Sequence, residues 1–175
     1  MNKKYELTDE TKGIGGITLH RIRALMDISR YGVRAGDIGG WIEAESNLSQ
    51  NDYAWVSDDA RVYGDAWVYG NAWVSGDARV YGDARVYGDA EVYGDAEVKS
   101  IRDYAVFKNG WSSGRWFTYT RSNRMWRVGC FHGTGEELIA KAYKDSELSG
   151  KCYEAIVRAQ EAIDRAIDEK EGDTK

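Results

Sequence analysis

Between residues 54 and 98 small apolar and polar residues alternate with a six-residue period. Valine stands at positions 56, 62, 68, 74, 80, 86, 92 and 98, and alanine two places before each, from Ala54 to Ala96. Ile42 and Leu48 extend this register toward the N-terminus. The unit reads Gly-Asp-Ala-x-Val-x, as in Gly76-Asp77-Ala78-Arg79-Val80-Tyr81. Alternate residues of a strand share a face, so Ala and Val point inward and the two x positions outward. Glycine supplies positive φ and aspartate bonds back to the backbone, so each Gly-Asp pair makes a corner. One unit is therefore one short strand and one corner, and the chain is expected to be mainly β.

The open ends of a repeat array expose unpaired backbone and apolar core, and the flanking segments are expected to cover them. Upstream, Ile17 to Leu25 alternates as a strand that Lys4 to Leu7 can pair with, and Gly36, Gly39 and Gly40 mark the entry to the repeats. Downstream, Tyr104–Lys108, Arg115–Thr120 and Met125–Phe131 read as three antiparallel strands joined at Asn109-Gly110 and Ser122-Asn123. In the second hairpin Tyr119 is expected to face Trp126 and Thr118 to face Arg127. Phe117, Tyr119, Trp126, Val128 and Cys130 then share the core face. Thr134-Gly-Glu-Glu137 fits a capping box for a helix to about Tyr143. Leu148, Cys152, Ile156, Ala159, Ile163 and Ile167 form an apolar stripe at helical spacing, expected to be core, and residues 169–175 a solvated tail.

The Gly-Asp-Ala-x-Val-x units resemble those of the hexapeptide-repeat left-handed β-helix superfamily, over roughly residues 36–100. The resemblance implies a left-handed parallel β-helix of about three coils, with three units completing each triangular coil of 18 residues. The expected organisation is an N-terminal β cap over 1–35 and the β-helix over 36–100. A small α+β domain of three strands and two helices follows over 101–168, then the tail. In such a helix residues 18 apart stack. Trp55 and Trp73 would share one face; Glu43, Arg61, Arg79 and Glu97, with Tyr63 and Tyr81 beside them, a second; Ser49, Trp67 and Arg85 a third. Proteins of this superfamily commonly pack three prisms in parallel, so the resemblance implies a homotrimer, and Trp55, Trp67 and Trp73 are its candidate contacts.

Composition adds a regional charge asymmetry. The net charge is −5, and residues 51–100 hold four basic and ten acidic side chains while the segments on either side are nearly balanced. The chain has seven Trp and 12 Tyr against three Phe, and no Pro. Cys130 and Cys152 lie in no ligand-like spacing, and a reduced, cytoplasmic protein is expected. No apolar run approaches signal-peptide or membrane-spanning character, so no membrane partner is expected. The corner aspartates are accounted for by turn chemistry, and neither a metal nor a cofactor is expected. Known enzymes with this β-helix generally depend on histidine. Only His20 and His132 occur, both outside the repeats, so catalysis is not expected, and acyl transfer with acetyl-coenzyme A stands only as a less favoured alternative.

The segment from Tyr104 to Gly135 has no acidic residue, yet holds Lys108, Arg115, Arg121, Arg124 and Arg127 among Trp111, Trp116, Phe117, Tyr119, Trp126 and Phe131. Guanidinium forks bind phosphates and aromatic planes stack on bases, which suits a nucleotide; a basic cap on the acidic repeats is the structural alternative. Candidate ligand residues are Trp116 and Arg127, then Arg115, Arg121, Arg124 and Phe131, with Arg61, Tyr63, Arg79 and Tyr81 on the repeat. The whole chain, from Lys4-Tyr5-Glu6-Leu7-Thr8 through the Tyr-Gly-Asp-Ala repeats to Trp126-Arg127-Val128-Gly129-Cys130-Phe131, also resembles short phage and gut-bacterial proteins often described as polymer-forming. That resemblance implies a non-catalytic counter-defence protein that sequesters a small nucleotide immune signal as an oligomer. The alternative is an acidic decoy, or DNA mimic, that binds a host protein.

Overall fold

The computed structural model describes residues 3–172. At its centre are eight two-residue strands: β4 (Trp55–Val56), β5 (Arg61–Val62), β6 (Trp67–Val68), β7 (Trp73–Val74), β8 (Arg79–Val80), β9 (Arg85–Val86), β10 (Glu91–Val92) and β11 (Glu97–Val98). Each pairs in parallel with the strand 18 residues away. Trp55, Trp73 and Glu91 form one column, Arg61, Arg79 and Glu97 a second, and Trp67 and Arg85 a third. The result is a β-solenoid of about three coils. Every repeat Ala and Val from Ala54 to Val98 is at most 1% exposed. Backbone bonds run from coil to coil, as from Trp55 N–H to the Ala72 carbonyl and from Trp73 N–H to the Ala90 carbonyl. Where Asp58 takes the glycine place of a corner it adopts φ 56°, and its carboxylate accepts from Gly76 N–H in the next coil.

The first coil departs from the repeat. Ile42 pairs with Val62 and Leu48 with Val68, so this coil carries two residues more than the 18 separating Val56 from Val74. The extra residues lie within 49–53, where the six-residue register is broken. Trp41 rather than Glu43 therefore stands beneath Arg61, and the Glu43 carboxylate accepts instead from Gly64 N–H. Asn47, not Ser49, lies beneath Trp67, and its amide donates to the Gly64 and Ala66 carbonyls.

The N-terminal cap is a hairpin of β1 (Tyr5–Ile14) and β2 (Ile17–Ala24), longer than expected. β2 pairs antiparallel with β3 (Ile38–Ile42), and β3 pairs parallel with β5, so cap and solenoid share one six-stranded sheet in the order β1-β2-β3-β5-β8-β11. Just before β1, the buried Lys4 ammonium donates to the Ala54 and Asp52 carbonyls, while Tyr5 Oη donates to the Leu48 carbonyl. These satisfy acceptors that no lower coil can reach. Trp55, expected on an exposed face, is 1% exposed and meets Tyr5 edge to face, because the cap covers the lowest coil. As a contact between copies, Trp55 is therefore unavailable.

At the other end β12 (Tyr104–Lys108), β13 (Trp116–Thr120), β14 (Met125–Val128) and β15 (Phe131–Gly133) form an antiparallel sheet of four strands, not three. A turn at Gly129, with φ 56°, folds the expected third strand into two and leaves Cys130 exposed, off the core face. The expected pairing of Tyr119 with Trp126 and Thr118 with Arg127 is present. The sheet's second face docks on the solenoid and buries Thr118, whose Oγ1 accepts from Glu91 N–H; Ser122 Oγ accepts from Glu97 N–H.

Helix α1 (Gly135–Asp145) starts at the Thr134 capping box, and α2 (Glu147–Gly172) covers the other face of the sheet. The apolar stripe of α2 is not its core face. Ser149, Tyr153, Val157, Gln160 and Asp164, each one place along, are buried, while Leu148 and Ile163 are 61% and 50% exposed. A hydrogen bond from Tyr119 Oη to Asp164, with Gln160 also donating to that carboxylate, holds this rotation. Residues 169–172, expected in the tail, continue α2, and 173–175 lie outside the described residues.

Two outcomes follow from the coil stacking and its cap. A Cβ on Gly76 (φ 73°) would stand 2.9 Å from the Gly94 nitrogen, whereas one on Gly88 (φ 68°) would meet nothing within 4 Å. Both Gly→Ala variants incur left-handed strain of about 1–2 kcal/mol. Gly76→Ala should lose roughly 1–3 kcal/mol more through overpacking, read from urea unfolding midpoints. Burial brings the Lys4 pKa down to about 8, against the opposing pull of Asp52. Unfolded lysine titrates at about 10.4, so between these values the unfolded chain binds more protons and stability rises with pH. Relative to Lys4→Met, the native chain should gain roughly 2 kcal/mol from pH 8 to pH 10; a flat difference would contradict a buried ammonium.

Candidate ligand-binding groove

Three distant stretches of chain meet along one edge of the solenoid. The loop between β2 and β3 rises from the cap and brings Arg30 and Tyr31. Tyr31 stacks on Trp73 with ring centroids 5.1 Å apart, and its hydroxyl donates to the Asn71 carbonyl. The solenoid contributes Trp73 from β7, Asp89 from a corner and Glu91 from β10. From the C-terminal sheet come Arg115 and Trp116 at the start of β13, Arg127 on β14, and the Gly129–Cys130 turn. Together they line two adjoining depressions of about 540 Å³ and 300 Å³, sharing Arg30, Glu91 and Gly129.

Two carboxylates face three guanidinium groups here. Arg30 pairs with Asp89, which also accepts from the Asn71 amide. Arg127 Nε lies 3.4 Å from Glu91 without hydrogen-bond geometry, and its guanidinium packs 4.2 Å from the Tyr93 ring centre. Burial pushes the Glu91 carboxyl up from its ordinary range, while Arg127 and Arg30 oppose that shift. Arg115 is exposed and makes no ion pair among the described residues. Trp116 is 39% exposed, with the Lys108 ammonium 5.3 Å from its ring centre. The groove therefore combines one uncommitted guanidinium, a loosely held second one and two indole faces, a set suited to a planar anion.

The sequence-based candidates separate into groups. Trp116, Arg127 and Arg115 come together at the groove, joined by Trp73, which is half-covered by Tyr31 and donates from Nε1 to Ser57 Oγ at 2.9 Å. Phe131 lies beyond the Gly129 turn, packed on the core of the sheet. Arg121 is tied to Asp168 and Glu171, and Arg124 to Asp168, so both fasten α2 to the hairpin loop and stand away from the groove. Arg61, Tyr63, Arg79 and Tyr81 occupy a different face. There Tyr63 and Tyr81 stack at 5.3 Å, and Arg79 pairs with Glu97 at 3.2 Å. Among the described residues Arg61 has no carboxylate partner, and its Nε is buried without a hydrogen bond.

Sequence reasoning missed Arg30, Tyr31, Asp89 and Glu91. Arg30 and Tyr31 sit in a loop without periodicity, and Asp89 and Glu91 are indistinguishable in sequence from other corner and outward acids. His132 packs edge-on to Tyr93, 4.9 Å away, and burial lowers its pKa. Among the described residues no cluster of His, Cys, Asp or Glu is arranged to hold a metal ion. No helix of the described residues is long and apolar enough to cross a membrane.

The stacked parallel coils and buried Ala and Val columns define a β-solenoid repeat protein. The chain is similar to the YdcK Beta solenoid repeat family, which matches residues 54–70, 60–76 and 78–94, all within the coils. No curated protein matches the chain.

Proposed function

We propose that the protein binds a small phosphorylated nucleotide in this groove without cleaving it. The observation that carries this reading is Arg115, an exposed guanidinium with no ion pair among the described residues, which lines the groove together with Trp116. A phosphate would lie on Arg115 and a base on Trp116, the exposed indole of the same depression. The biological role attached to this binding is sequestration of a nucleotide immune signal in a bacterial host cytoplasm, in keeping with the resemblance to phage proteins. Isothermal titration against cyclic dinucleotides, cyclic ADP-ribose isomers and nucleoside monophosphates should give heat with at least one ligand. Arg115→Ala should weaken that binding by roughly tenfold or more, the equivalent of a lost charge-assisted bond. No heat with any ligand would overturn the reading.

The same reading includes a homotrimer. The cap and the strap of residues 28–33 cover much of the face carrying Trp55 and Trp73, whereas the face carrying β6 and β9 keeps a bare aromatic ladder. Trp67 stacks on Tyr69 at 4.1 Å and Tyr69 on Tyr87 at 5.2 Å, with Trp67 37% and Tyr87 41% exposed. Aromatic patches of this kind are enriched where proteins meet. Sedimentation equilibrium should give three times the 19.7 kDa chain mass, and Trp67→Glu should shift the protein toward monomer. A native chain that sediments as a monomer would refute the trimer.

A further inference from the structure

Across the Gly129–Cys130 turn from the groove lies another depression, of about 360 Å³. Leu138 on α1, Tyr153 on α2 and Phe131 on β15 supply its apolar wall, and Ser113 and Lys141 stand among the residues at its rim. Tyr153 is held in place. The Asn109 amide donates to its hydroxyl at 3.1 Å and to Ser112 Oγ at 2.8 Å, while Asn109 Oδ1 accepts from Ser112 N–H. Lys141 is exposed and makes no ion pair among the described residues.

Two residues belong to both sides of the turn. Arg115 lines this depression and the groove, and so does Cys130. Gly129 has φ 56°, and Arg115 Nη1 lies 3.9 Å from where its Cβ would stand, so the guanidinium rests along the ridge between the two spaces. A cation at the crest, with an aromatic surface on each side of it, matches a ligand that has two planar heads joined through a phosphate.

We propose that groove and depression are two halves of one site for a dinucleotide, a proposal that rests on the nucleotide reading above. The internucleotide phosphate sits on Arg115 over the ridge. One base lies against Trp116 in the groove. The other enters the space between Leu138, Phe131 and Tyr153, with Lys141 beside its sugar or terminal phosphate.

The test compares adenosine and guanosine monophosphates with linear pApA and pGpG and their cyclic counterparts, by titration calorimetry on the full chain. At least one dinucleotide should bind tenfold or more tightly than its mononucleotide. Ser113→Trp, placed on an exposed loop, should fill the second depression, reduce dinucleotide affinity to the mononucleotide level and leave mononucleotide binding unchanged. Lys141→Glu should weaken only the dinucleotide and serves if Ser113→Trp fails to fold. Arg115→Ala should weaken both ligands. Alkylation of Cys130 by iodoacetamide, followed on its own peptide, should slow when the dinucleotide is bound. Equal affinity for mono- and dinucleotides, or full dinucleotide affinity in Ser113→Trp or Lys141→Glu, would overturn the two-part site and leave the groove reading intact. Absence of binding by every ligand would overturn both.

Discussion

Coil-to-coil backbone hydrogen bonding is the constraint from which the rest of this molecule follows. A two-residue strand such as Trp73–Val74 has no stability of its own; it exists because Trp73 N–H reaches the Ala90 carbonyl above while the Ala72 carbonyl receives Trp55 N–H below. The same stacking places Ala and Val in continuous inward columns and excludes water from them. It also creates two ends at which backbone groups and apolar surface lose their neighbours. A buried unpaired carbonyl is costly, so the ends must be closed with hydrogen-bonding groups as well as apolar ones. Lys4 and Tyr5 do this at the base, where ammonium and hydroxyl groups replace the missing coil. At the top, Thr118 and Ser122 oxygens accept N–H groups of the last coils.

The groove is a by-product of that closure. The cap cannot end at the base, because the chain must travel from the hairpin into the first coil, and the strap carrying Arg30 and Tyr31 lies against Trp73 and Asp89 on the way. The sheet that seals the top leans its Arg115, Trp116 and Arg127 side toward the same edge. Basic groups from both caps thus converge on two acidic residues of the repeat, Asp89 and Glu91. Ion pairing with Asp89 engages Arg30, Glu91 holds Arg127 loosely, and Arg115 is left over. That surplus distinguishes a groove suited to an anion from a neutralised seam.

Regularity decided what could be read in advance. The inward Ala and Val columns, the corners and the stacking of Trp73 over Trp55 repeat often enough that one unit predicts the next. The capping box at Thr134 and the pairing of Tyr119 with Trp126 are equally local and were equally legible. Errors arose where the period breaks. The longer first coil moved Trp41, not Glu43, beneath Arg61. A single glycine at 129 turned one expected strand into two. In α2, spacing identified an apolar stripe, yet a polar contact between Tyr119 and Asp164 turned a neighbouring face inward. Periodicity records which residues share a face of a helix; it does not record which face is buried.

By itself the sequence determined the repeat architecture, the inward residues, the need for caps and the existence of an acid-free, aromatic and basic segment, because each depends on neighbours within one coil or one hairpin. Only the tertiary structure decided which aromatics stay exposed and which arginines are already paired. Trp55 and Trp67 occupy equivalent places in the repeat, yet the cap with Tyr5 buries the first to 1% exposure while the second stays 37% exposed beside Tyr69. Arg121 and Arg115 are alike in sequence, and α2 supplies carboxylates to the first alone. Exposure and pairing are set by segments far away in the chain, through contacts whose pattern no local spacing encodes.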